Sequence, residues 1–130
     1  MRSQKESPMR DPLPGKRWKG NEITPDEQFA ILLRGNWKCA YCGVAMDDPD
    51  FPARDVTIDH LVPRKEGGLT VPENLVPACR TCNSRKCHRP WQDYAPGGAR
   101  VRIERQVAQP LNLALAKLVR SGKVPTDEQL

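Results

Sequence analysis

Two pairs of cysteines and a scattered set of acid, amide and imidazole side chains are the parts of this sequence that could do chemistry. Cys39-Ala-Tyr-Cys42 and Cys79-Arg-Thr-Cys82 each put two thiols across a tight turn. Each pair closes a small chelate, and four thiolates complete a tetrahedral zinc shell. The 36 residues between the pairs exceed the usual zinc-ribbon gap of roughly 15–20. The two turns are therefore expected to clamp an inserted functional unit. A shell closed by Cys39, Cys42, Cys79 and Cys82 has no open position, so this zinc would be structural. Cys87 is left over and reads as a plain helix residue, and His88 is not needed as a ligand.

Between and beside the pairs lie Asp59-His60, Asn74, Asn83 and Lys86. Phosphodiester hydrolysis needs a base to activate water, a cation to offset charge on phosphorus, and help for the departing oxygen. The imidazole of His60 titrates in the right range for the base. Asp59 offers a hard oxygen ligand and Asn83 a carbonyl oxygen, a donor set that suits Mg²⁺. One geometric difficulty is visible in advance. Neighbouring residues of a strand face opposite ways, so Asp59 and His60 meet only at a distorted strand end or around a cation held to one side. Arg64, Lys65, Arg80, Arg85, Lys86 and Arg89 could be solvated charges. Among them Lys86 is the strongest candidate for a phosphate contact.

Local patterns say which elements must hold these groups. Thr24-Pro25-Asp26-Glu27 is a helix start with a capping box, and Phe29, Ile31, Leu32 and Leu33 supply its apolar face up to Gly35-Asn36. Trp37 and Tyr41 beside the first cysteine pair read as packing groups. Asp47, Asp48, Asp50 and Asp55 form an acidic loop that lacks the glycine and the terminal glutamate of a helix–loop–helix calcium site. Val56–Val62 is β-branched and short, hence a strand. Arg64–Gly68 is a turn, and Leu69-Thr70-Val71 is expected to begin a return strand. A helix should start at the second cysteine pair, run through Arg85 and Lys86, and end near Pro90. Residues 91–99 read as a Pro/Gly loop. Val101–Ala108 and Leu111–Val119 read as helices, with Pro110 a kink or new start and Gly122 the end.

Composition narrows the class. With 38% apolar residues and 13 prolines in 130 positions, the core is thin and a bound metal is the natural staple. No apolar run is long enough to span a membrane. The polar, basic N-terminal stretch does not resemble a secretory signal, so the cysteines are expected in a reducing compartment, the cytoplasm. The net charge of +5 favours a polyanionic partner. Residues 1–20 read as a disordered basic arm, 21–90 as the catalytic domain, and 91–130 as a helical extension.

Asp59-His60-Leu61-Val62-Pro63, Gly67-Gly68, Glu73-Asn74-Leu75-Val76 and Cys79-x2-Cys82-Asn83-Ser84-Arg85-Lys86 resemble, in that order, the HNH endonuclease family. They resemble in particular its cysteine-stapled phage and bacterial branch. The resemblance covers about residues 37–88. It implies an α+β fold: a small ββα-metal core, the zinc staple and flanking helices. It also implies that His60 is the general base, that Asp59 and Asn83 ligate a catalytic Mg²⁺ or Mn²⁺, and that Asn74 positions the catalytic loop. Arg64, Lys65, Arg85 and Lys86 would be the DNA contacts. Asn83 stands where the family name implies histidine, which favours an oxygen-preferring cation.

Three function classes are then in play. The first is a DNA endonuclease, monomeric or homodimeric, that nicks or cuts double strands, with phage or mobile-element proteins as possible partners. The second is a non-catalytic zinc-stapled DNA-binding module, which would have no need of Asp59, His60 and Asn83 together. The third is a zinc module for protein interaction.

Overall fold

Thr24 opens the first helix as its side chain dictates. A computed structural model describes residues 23–95 and 97–122, so the basic arm expected over 1–20 and the residues beyond Gly122 lie outside the described residues. Helix α1 spans Pro25–Arg34. Thr24 Oγ1 accepts from the Glu27 amide at 3.1 Å, and the Glu27 carboxylate accepts from the Thr24 amide at 2.7 Å. This is the full capping box. Asn36 and Trp37 follow at φ 57° and 59°. They turn the chain sharply into the first cysteine pair.

Two antiparallel strands carry the centre. Strand β1 is Val56–His60 and strand β2 is Leu75–Cys79, in register from Val56↔Cys79 to His60↔Leu75. Every residue of β2 is buried. Pro77 is tolerated there because its polar groups point away from β1. Its carbonyl accepts from the Ala40 amide at 2.9 Å, and both backbone groups of an antiparallel residue face the same side. The missing N–H of Pro77 therefore costs the β1 ladder nothing, and the first cysteine turn is sewn to the outer edge of β2.

The return strand starts six residues later than expected. Leu69-Thr70-Val71 is not a strand but part of a loop closed by Asn74, with Leu69 exposed and Thr70 and Val71 buried. Asn74 Oδ1 accepts from the Val62 amide at 2.8 Å, and its Nδ2 donates to the Val62 and Leu69 carbonyls at 3.0 and 2.9 Å. The chain must cross these bonds before it can pair with β1. Gly68 lies against the same bonds. A Cβ at Gly68 would collide with the Val62 carbonyl and come within 2.9 Å of Asn74 Nδ2. Gly68→Ala should therefore lower stability by about 3 kcal/mol, read as a lower urea midpoint. An unchanged midpoint would show that the loop is looser than its packing.

Helix α2, Arg80–Lys86, follows directly from β2, with Cys79 Sγ capping its start. It ends earlier than Pro90 because Cys87 takes φ 55°. Cys87 is thus an exposed helix terminator and not a residue of the helix body. The loop expected over 91–99 contains a further short helix, α3 at Trp91–Tyr94, whose first residue buries its indole. Helices α4, Ala99–Val107, and α5, Leu113–Arg120, fall where the apolar spacing put them, with Asn112 capping α5. Helix α1 packs on α5 and on β2, α2 on both strands, and α4 on β2. Among the described residues no helix is long and apolar enough to cross a membrane.

Arg34 joins these parts. Its guanidinium donates to the carbonyls of Pro72 at 2.9 Å, Leu75 at 2.7 Å and Gln109 at 3.4 Å. Burial lowers its pKa to about 10, with Glu73 opposing the shift. It remains a cation at neutral pH, used as a clamp on backbone oxygens.

Candidate active site and thiolate cluster

The four paired cysteines converge. Their Sγ atoms all lie within 4.8 Å of one another, with Cys42 and Cys79 at 3.9 Å. Four thiolates at 2.3 Å around one tetrahedral ion stand roughly 3.8 Å apart, so the cluster fits zinc. The Cys42 and Cys82 amides point at the Cys39 and Cys79 sulfurs, at 3.5 and 3.4 Å. Burial pushes Cys82 up to about 12 and Cys79 upward as well. Burial acts the same way on Cys39, but amide donors from Cys42, Cys79 and Tyr41 outweigh it and the net shift is downward. Cys79 and Cys82 therefore hold charge poorly alone, and a dication is what makes four adjacent thiolates tolerable.

Alternation along β1 sorts the remaining candidates. Thr57 and Asp59 face α2, where Asn83 Nδ2 donates to Thr57 Oγ1 at 3.0 Å and Lys86 Nζ lies 3.1 Å from Asp59 Oδ2. Oδ2 also accepts from the Tyr41 hydroxyl at 2.6 Å. Oδ1 of Asp59 and Oδ1 of Asn83 have no hydrogen-bond partner among the described residues. Both oxygens therefore belong to the junction of β1 and α2, which is the donor chemistry of a hard divalent cation.

His60 is turned the other way. Strand β1 runs regularly through it, paired with Leu75, so of the two arrangements left open by the sequence the distorted strand end is not formed. Its ring is half-buried and its Nε2 lies 2.9 Å from Thr70 Oγ1. No hydrogen bond joins it to Asp59 or Asn83 among the described residues. Burial lowers its pKa, Asp59 opposes this, and Arg64 and Lys86 add to the lowering. The imidazole is thus held neutral at neutral pH. If Nε2–H donates to Thr70, the lone pair resides on Nδ1.

Lys86 requires a correction. It was expected on the DNA-facing surface, yet it is 0% exposed, and its ammonium donates to the His60 carbonyl at 2.9 Å and to Asp59. The carboxylate it neutralises lies inside, so it cannot meet a phosphate from there. Arg64, Lys65 and Arg85 are exposed. Asn74 is buried and is spent wholly on the loop between the strands.

Sequence reasoning missed three contacts. Tyr41 was assigned to packing, which its edge contact with Tyr94 at 5.5 Å satisfies, but its hydroxyl has a second use on Asp59. Thr57 was readable, since it sits two positions before Asp59 on the same face. Thr70 gave no signal, because its pairing with His60 depends on the shape of the loop.

The family model for HNH endonuclease matches residues 39–89. Residues 39–89 are an HNH domain. The match runs from Cys39 past Lys86 and takes in the four thiols, both strands, the intervening loop and α2, which together make the ββα core. The family is one of endonucleases, and the HNH domain accordingly points to nuclease activity. No curated protein matches the chain.

Proposed function

We propose that the chain is a divalent-cation-dependent endonuclease that hydrolyses DNA phosphodiester bonds. The observation that carries this reading is the pair of unpartnered oxygens, one on Asp59 and one on Asn83, at the β1–α2 junction of an HNH domain. They would hold Mg²⁺ or Mn²⁺, which supplies positive charge to a phosphate oxygen. The residues of the chain do the rest. Thr57 holds the amide of Asn83 so that its carbonyl faces outward. Asn74 fixes the loop that carries Thr70, and Thr70 fixes the ring of His60. His60, the last residue of β1 and next to Asp59, takes a proton from the attacking water. Arg64, Lys65 and Arg85 contact the DNA backbone. The four-thiolate zinc is structural. Residues 21–90 are read as the catalytic unit and 91–130 as a helical extension.

Supercoiled plasmid tests the reading. Zinc-loaded protein with Mg²⁺ or Mn²⁺ should convert it to nicked or linear forms, and chelating the added cation should stop this. No conversion with either cation would leave a zinc-stapled DNA-binding module as the better description.

The rate should also depend on pH in a stated direction. A neutral His60 is the active form, and burial lowers its pKa. The acidic limb of the rate profile should therefore have its midpoint below about 6.5, the ordinary histidine value. The same shift means that the folded chain binds fewer protons than the unfolded one. Stability should fall as pH drops from about 6.5 through the lowered value. An acidic midpoint above 6.5 would remove His60 as the titrating base.

A further inference from the structure

Each cysteine turn sends one side chain to the same carboxylate oxygen. Tyr41 lies between Cys39 and Cys42, is 1% exposed, and donates its hydroxyl to Asp59 Oδ2 at 2.6 Å. Lys86 lies on the helix that Cys79 caps and that contains Cys82, and its ammonium reaches the same Oδ2 at 3.1 Å. Two donors on Oδ2 leave Oδ1 as the oxygen free to meet a cation, and they fix the direction in which it points. The two turns are tied to each other by the thiolate cluster, so the separation of Tyr41 and Lys86 depends on what the cluster holds.

We propose that Tyr41 and Lys86 are positioning residues that orient Asp59 and couple the catalytic cation site to the structural zinc. This rests on the reading of Asp59 as a cation ligand. Partners that orient a ligating carboxylate influence metal affinity strongly even though they never touch the metal.

The test uses the full zinc-loaded chain and measures Mn²⁺ binding by electron paramagnetic resonance, without DNA. Tyr41→Phe keeps the ring and removes only the hydroxyl. It should retain its zinc and its circular dichroism spectrum, bind Mn²⁺ roughly tenfold more weakly, and recover most of its plasmid-nicking rate at saturating Mn²⁺. Lys86→Met should weaken Mn²⁺ binding at least as much, with some loss of stability from the unpaired carboxylate. Asp59→Ala separates the two levels of the argument. If Asp59→Ala leaves Mn²⁺ affinity unchanged, Asp59 is no ligand and the underlying reading fails. If Asp59→Ala weakens binding but Tyr41→Phe does not, or weakens it only by losing zinc, the positioning role alone is overturned.

Discussion

Cys79→Ser should unfold the HNH domain. Cys79 is the ligand with the most duties. Its sulfur joins the four-thiolate cluster, caps α2 by accepting from the Cys82 amide, and sits at the end of β2 opposite Val56. Serine could still cap the helix, since its hydroxyl accepts the same bond. It cannot supply a thiolate, so the experiment isolates the metal. Structural zinc sites in small fingers contribute roughly 10–16 kcal/mol at neutral pH, against about 5–15 kcal/mol for the whole stability of a domain. With the thin core of this chain, losing the ion exceeds what burial can supply. The expected readings are zinc below one equivalent and a circular dichroism spectrum that has lost its helical bands or its cooperative melt. A spectrum and a melting temperature equal to the parent's would refute the staple.

His60→Ala should abolish nicking while leaving the fold in place. Loss of a general base typically costs a factor of about 10² to 10⁴. The structural cost is small, because the ring is half-buried and its hydrogen bond among the described residues is the one to Thr70. The orphaned threonine hydroxyl contributes a penalty of about 1–2 kcal/mol. The variant should keep its zinc and bind DNA at low salt like the parent, because Arg64, Lys65 and Arg85 are untouched. Nicking at the parent's rate would exclude the imidazole from the reaction.

Much of this architecture is legible from local chemistry. The capping box at Thr24 and Glu27, the thiol spacing and the β-branched run at 56–62, of which 56–60 form the strand, each specify their own conformation within a few residues. The return strand was misplaced because Leu69-Thr70-Val71 has the composition of a strand while Asn74, five residues beyond Leu69, binds that segment into a loop. Lys86 was misassigned for a related reason. A lysine on a helix normally faces water, and only the fold reveals that Asp59 lies beneath it. Composition could not locate the helix at Trp91 either, since it exists to bury one indole. The identities of the candidate site residues were readable, whereas the side of the strand each one occupies in three dimensions had to be seen.

Arg34 has a consequence for anyone wishing to transplant the segment that matches the family. The guanidinium that secures Pro72 and Leu75 is supplied from outside the family segment. So are α1 and α4, which cover β2. A cassette cut at 39 and 89 would carry its metal ligands intact and arrive with one flank open. Residues that perform no chemistry would have to travel with it.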